Sequence, residues 1–334
     1  MRRTVRRPDG GGYGRIAEAK QDFLGRFLRL TNGVPSHDTF SRLFSRLDPD
    51  QFRACFQKFV ARFGETCSGV IAIDGKSLRR ASDPRGARSA SALHMISAWS
   101  CDKRLVLAQI ATDNKSHESA GVLKLLGFLS LRGAVVTTDA LNCRRDIARV
   151  IVESGGDYAL ALKGNHRALH ADVTLLLEDP KRESGAKHST VDSNHGRIET
   201  RTSLVSTEIE GLQKRHRWPG LAAVGKVIRN RDTTTTATTE TAYYLLSTPM
   251  SSERLGQVAR SHWGVENRLH WVLNTVMNED KTRNRNDNSA YNFAILRHMA
   301  LNLVQRDPSK ASLRTKFNRA AWRDDFLAQL LSPI

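Results

Sequence analysis

Val70-Ile71-Ala72-Ile73-Asp74-Gly75-Lys76-Ser77-Leu78-Arg79-Arg80 decides how the rest of this 334-residue chain is read. Four apolar residues run without alternation into one carboxylate, the pattern of a strand buried on both faces that ends its apolar run on an acid. An unpaired charge in such a place is so costly that the Asp calls for a metal ion, a cation or a hydrogen-bond network. On this stretch alone, an Asp capping the following turn is an equally open reading.

Working outward, a basic loop through Arg79, Arg80, Arg85 and Arg88 leads to two strand-like runs, 92–101 and 105–111, with Asp102-Lys103 as a tight turn between them. Residues 118–131 have helical spacing at Val122, Leu125, Leu126 and Leu129. Ala134-Val135-Val136-Thr137-Thr138-Asp139 is a second short apolar run ending in an acid, followed by a helix over 144–153 and a strand over 158–162. Hairpin-linked strands followed by β-α-β crossovers predict an α/β fold, a mixed sheet flanked by helices. In the ribonuclease-H-like arrangement of this order the first and fourth strands are neighbours. Adjacent strands lie about 4.8 Å apart, so Asp74 and Asp139 would present their carboxylates close together and need a cation.

Before this core, residues 1–14 form a flexible Gly/Arg-rich basic tail and 15–66 a helical N-terminal unit in which Ser36 is an N-cap. The core itself is assigned to 67–334, with a β-rich insertion at about 186–248 carrying alternating runs and a polar hairpin tip at Arg229-Asn230-Arg231-Asp232. Beyond Ser251 the pattern is helical again. Its most informative stretch is Arg260-Ser261-His262-Trp263-Gly264-Val265-Glu266-Asn267-Arg268-Leu269-His270-Trp271. Helical spacing puts His262, Trp263, Glu266 and His270 near one broad face. That face can be a solvated surface or a carboxylate delivered to the two aspartates; a zinc site is the weaker reading, because the H-E-x-x-H spacing is not met.

The charge balance is +18 with 40% hydrophobic and 26% charged residues, which favours a polyanionic partner. No apolar run approaches the roughly 18 residues of a membrane span, and the basic start leads into Gly10-Gly11-Gly12 rather than a signal-peptide core, so a cytoplasmic location is expected. The four cysteines stand singly, with no C-x-x-C pair for zinc or redox chemistry.

Three blocks together resemble a family: "IAIDGKSLRRA" around Asp74, "VVTTDALNCRRDIARVIVESGGDYALALKGNH" around Asp139, and "RSHWGVENRLHWVLNTVMNEDKTRNR" around Glu266. With "NGVPSHDTFSRLFSRLDPDQF", "HGRIETR", "WPGLAAVGKV" and "NFAILRHMALNLV", they are similar to the H-repeat-associated branch of bacterial insertion-sequence DDE transposases over nearly the whole chain. The resemblance implies a ribonuclease-H-like core in which Asp74, Asp139 and Glu266 bind two Mg²⁺ or Mn²⁺ ions for phosphoryl transfer on DNA. It implies nicking of double-stranded DNA at element ends, attack of the freed 3′-OH on target DNA, a homodimer on DNA and a nucleoid-associated location. Candidate DNA contacts are Lys76, Arg79, Arg80, Lys163, Arg197, Arg201, His262 and Trp263. Departures stand beside it. At the positions of the broader Tyr-x2-Arg-x3-Glu-x6-Lys signature the chain has Ala259, His262, Glu266 and Leu273, so only the Glu survives, and Glu279 is the runner-up for the third acid. The 34 residues before Pro35 are fewer than the family's usual helical lead, which leaves a truncated, catalytically inactive DNA-binding remnant as the second reading.

Overall fold

The structure, a computed structural model, describes residues 16–63, 69–78, 93–112, 114–179, 187–194, 197–233, 236–283 and 287–332. Arg79 and Arg80 lie outside them, as do the 1–14 tail and the remainder of the basic loop. Among the described residues, one compact unit lies within Gly64–Leu78 and Ser91–Leu273 and the other within Met1–Phe63 and Asn274–Ile334.

The first unit is built on a sheet of β1 (Gly69–Ser77), β2 (His94–Ser100), β3 (Leu105–Thr112), β4 (Ala134–Thr138), β5 (Asp157–Leu162), β6 (His188–Asn194), β7 (Arg197–Ser206), β8 (Ala223–Asp232) and β9 (Ala237–Leu246). Their spatial order is β3-β2-β1-β4-β5-β9-β8-β7-β6. The first five form the ribonuclease-H-like mixed sheet: β2 and β3 are antiparallel neighbours on one side of β1, while β4 and β5 run parallel to it on the other. Val70, Ile71, Ala72 and Ile73 are all buried, as a central strand with both faces covered requires. Pairing of Val70 with Val135 and of Ile73 with Thr138 brings the next residue of each strand, Asp74 and Asp139, to the same end of the sheet. The turn between β2 and β3 spans four residues rather than the two expected, because Arg104 takes a left-handed conformation (φ 58°) to close it.

The insertion is not a separate layer. Strand β9 pairs antiparallel with β5, Ala159 opposite Leu246, so β6–β9 prolong the core sheet to nine strands. The helix Ser252–Gly264, capped by Ser251 accepting from the Arg254 N–H, packs on this extended sheet. It approaches β8 so closely that a Cβ at Gly225 would stand 2.3 Å from Leu255 Cδ2, which only glycine avoids.

The second unit is helical. Ser36 caps His37–Arg46 by accepting from the Thr39 N–H, and Asp48 caps Pro49–Ala61 by accepting from the Gln51 N–H. Residues 274–334, which the sequence pattern places in one block with the strands, cluster with these helices instead. Asn292, on the helix Ser289–Gln305, donates at 2.8 Å to the carbonyls of Phe44 and Leu47, and that bond cannot be read from periodicity. Val304, Ala320, Phe326 and Leu330 pack as a small core among the last three helices of this unit.

Candidate active site

Asp74 stands within β1 at the point where the fully buried run ends, and the strand continues to Ser77. Its Oδ1 accepts the Gly75 N–H at 2.9 Å, and its Oδ2 lies 3.5 Å from His270 Nδ1. Burial pushes this carboxyl up to about 7, with the charges of Asp139, Glu266 and Glu118 adding to the rise against the Gly75 bond. Asp139 follows β4 and caps the short turn Ala140–Asn142, its Oδ1 accepting from the Asn142 backbone N–H at 3.1 Å and from Asn142 Nδ2 at 2.9 Å. Burial again raises its pKa, the charge of Glu118 next, while the bonds from Asn142 oppose.

Glu266 is exposed and sits in a π-helical turn, Val265–His270, that continues the helix Ser252–Gly264. The Trp271 N–H closes the wider turn on the Glu266 carbonyl, five residues back, and the buried side chains of Val265 and Leu269 hold it to the sheet. Single π turns of this kind interrupt α-helices mostly at functional sites. The helical-face expectation is met differently by the two histidines on either side of Glu266. His262 meets the sheet, its Nδ1 3.0 Å from Thr137 Oγ1, and burial lowers its pKa to about 4. His270, about two turns on, is the histidine that meets an aspartate.

Beneath both aspartates lies a network that the sequence pattern did not reveal. Glu118, in the first turn of the helix Glu118–Leu126 and only 2% exposed, accepts from His94 Nε2 at 2.8 Å and from Asn142 Nδ2 at 2.7 Å. Burial alone would raise the Glu118 pKa, but these two bonds bring it below its ordinary value. His94 in turn has its Nδ1 2.9 Å from Ser77 Oγ. In sequence Glu118 reads as an acid complementing a helix N-terminus, and nothing local marks it as buried. Gly75 leaves room for this pair, since a Cβ there would stand 2.2 Å from His94 Nε2 and 3.0 Å from Glu118 Cδ. Gly75→Ala is therefore expected to destabilise the protein by about 1–3 kcal/mol through overpacking, read as a lowered midpoint in urea unfolding. An unchanged midpoint would mean that His94 can swing clear.

Two aspartates at adjacent strands and a glutamate on a following helix belong to a chain with clear relatives. The transposase DDE domain model matches residues 65–303, and a model described as DDE_Tnp_1-associated matches residues 12–60. The chain belongs to the transposase DDE family. Within it the chain stands with the H-repeat-associated proteins. YhhI of Escherichia coli K12, an H repeat-associated protein with a transposase name, is 36% identical over 329 residues, which cover 95% of this chain and 86% of YhhI. YncI of Escherichia coli O157:H7, also named as a transposase, is 33% identical over 319 residues, covering 93% of this chain and 81% of YncI. Among solved structures, a piggyBac transposase synaptic complex with hairpin DNA aligns with 98% of this chain and 70% of that one, at a TM-score of 0.41 and 12% identity.

DDE transposases work with divalent metal ions. Among the described residues no three His, Cys, Asp or Glu side chains stand as a finished metal cluster. In donor chemistry Asp74, Asp139 and Glu266 suit such an ion, since they offer hard carboxylate oxygens, and Asp74, raised first by burial, also feels the charges of Asp139 and Glu266.

The remaining candidates divide. Lys76 is half-buried two residues beyond Asp74 on the same face of β1, and Lys163 is exposed just past β5 at the same sheet end. Arg201 is tied to Asp192 at 2.6 Å and to Glu199, acids it shares with Arg260 and with Arg197 and Arg231, so this cluster keeps an excess of positive charge. Arg197 is half-exposed and 3.6 Å from Glu199. Trp263 is 45% exposed with the Arg229 guanidinium 5.1 Å from its ring centroid, a cation–π pair on the surface. Glu279 is buried in the helical unit with Arg297 Nη1 3.9 Å away.

Proposed function

We propose that this DDE transposase cuts double-stranded DNA at the ends of an insertion sequence and joins them to target DNA, with Asp74, Asp139 and Glu266 holding two Mg²⁺ or Mn²⁺ ions. The single observation that carries this reading is the Asp74 carboxyl raised to about 7 by burial and by the charges of Asp139, Glu266 and Glu118. Beside the Gly75 N–H and His270, this buried carboxyl also feels the like charges of Asp139, Glu266 and Glu118, an arrangement that favours a cation. When bound, divalent ions polarise a phosphoryl oxygen and acidify water, stabilising attacking and leaving oxygens of an in-line displacement.

The chain's own residues supply the rest. His270 is placed to orient Asp74, and the Gly75 N–H holds its Oδ1. Lys76, Lys163 and Arg197, with Arg79 and Arg80, are proposed phosphate contacts, and Trp263 with Arg229 is proposed to stack on an unpaired base. A homodimer bridging two element ends and a cytoplasmic, nucleoid-associated location belong to the same proposal. None of the described helices is long and apolar enough to cross a membrane.

The test is cleavage of labelled DNA carrying the ends that flank this reading frame, with and without Mg²⁺ and with Asp139→Ala as control. Nicking at the ends that needs the metal and is lost in the variant is expected. Tight, salt-sensitive binding without cleavage would replace the proposal with the inactive remnant.

A further inference from the structure

The amide of Asn142, 1% exposed, has both of its N–H bonds engaged by acids: Nδ2 donates at 2.7 Å to Glu118 Oε1 and at 2.9 Å to Asp139 Oδ1. Its Oδ1 accepts from Ser119 Oγ at 3.0 Å. This amide can face only one way, because turning it over would set its oxygen against two carboxylates. Glu118 is itself held on its other side by His94 Nε2, and since a carboxylate can only accept, that nitrogen carries the proton. The chain Ser77–His94–Glu118–Asn142 thus ends on one oxygen of Asp139. That oxygen, Oδ1, also accepts the Asn142 backbone N–H. The other, Oδ2, carries no hydrogen bond among the described residues.

We infer that Glu118 is a positioning residue of the metal site: acting through Asn142, it commits Oδ1 of Asp139 to donor bonds and leaves Oδ2 to take the divalent cation. The inference rests on the proposed role of Asp139 as a metal ligand. Its physical content is rotational. A carboxylate on a free χ2 offers either oxygen in many orientations, whereas one with two fixed donors on a single oxygen offers the other in one, so less freedom is lost on binding. The Gly75 clearance belongs to the same device, since any side chain there would displace His94 and Glu118 together.

The test is Mn²⁺ affinity of the full chain without DNA, measured by the free-Mn²⁺ electron paramagnetic resonance signal, at a temperature where circular dichroism shows each variant folded. Asn142→Ala leaves the His94–Glu118 bond in place and is expected to weaken Mn²⁺ binding about 10–100-fold, and Glu118→Ala similarly. Glu118→Gln keeps an oxygen for Asn142, and its amide N–H is met by His94 Nε2 once the imidazole carries its proton on Nδ1 and donates it to Ser77 Oγ. This variant is expected to stay within about threefold of the unmodified protein, a rescue that loss of charge alone would not give. The double variant Glu118→Ala with Asn142→Ala is expected to bind no more weakly than Asn142→Ala. Unchanged affinity in folded Asn142→Ala, or equal loss in Glu118→Gln and Glu118→Ala, would overturn the inference. If Glu118→Ala does not fold, the Asn142→Ala and Glu118→Gln pair still decides it. Asp139→Ala separates the two levels: if it binds Mn²⁺ as well as the unmodified protein, the metal-ligand reading itself fails, and if it alone loses the ion, only the positioning role does.

Discussion

Glu266→Ala is expected to lower metal-dependent DNA cleavage by about 10³-fold or more, with the fold intact, whereas Glu279→Ala is expected to lose stability rather than chemistry. The contrast follows from where the two acids stand. Glu266 is exposed on a π-helical turn and its charge reaches Asp74, so removing it subtracts a cation donor without opening the core. The loss of one ligand oxygen, worth about 4 kcal/mol of transition-state stabilisation, corresponds to about a thousandfold in rate. Glu279 is only 5% exposed and lies beside Arg297, which also donates to Thr282 Oγ1 at 2.6 Å. Truncating it removes a buried partner of a cation, a change that costs about 3 kcal/mol or more. Cleavage of labelled element-end DNA in Mn²⁺, measured beside thermal unfolding, distinguishes the two. Normal cutting by Glu266→Ala together with a folded but inactive Glu279→Ala would transfer the third ligand role to Glu279.

A second large effect is expected in stability against pH. Asp74 titrates at about 7 in the folded protein against an ordinary 3.8, so between these values the folded state keeps a proton that the unfolded state releases. Its contribution is therefore fully present below about pH 3.8 and is lost as pH rises through about 7. At about 1.4 kcal/mol per pH unit, the loss across the window is up to about 4 kcal/mol. Asp139, raised for the same first reason, contributes with the same sign. Asp74→Asn keeps the shape without a charge to desolvate, so the variant is expected to be the more stable protein at pH 8 and to show a flatter slope between pH 4 and 7. Adding Mg²⁺ at pH 8 is expected to restore stability to the unmodified protein far more than to the variant. Urea unfolding at half-unit steps of pH measures both, and parallel curves for the two proteins would show that Asp74 is not a repelled, buried carboxylate.

These expectations draw on different depths of information. The two aspartates and the strands that carry them were legible in the sequence, because an unbroken apolar run ending on an acid is a local pattern and the order of strands and helices admits few sheets. The caps at Ser36 and Ser251 are local in the same way. Glu266 was legible through its surrounding motif, but not its setting: helical periodicity assumes one turn length, and the π turn at Val265–His270 changes the spacing between His262, which meets Thr137 from the preceding helix, and His270, which meets Asp74. Arg201 illustrates a second limit, since a basic residue shows its charge in sequence but not the Asp192 and Glu199 that it pairs with in the fold.

What the sequence by itself determined is the order of the core strands and the acids at their ends, properties of residues near one another along the chain. Only the tertiary structure decided that β9 joins β5 to make one nine-stranded sheet, that residues after Asn274 cluster with the N-terminal helices, and that Glu118 is buried between His94 and Asn142. Each of these depends on a hydrogen-bond partner chosen across tens of residues or more. A donor or acceptor has the same local pattern whether it meets water or a distant side chain, and burial alone makes the difference between them large.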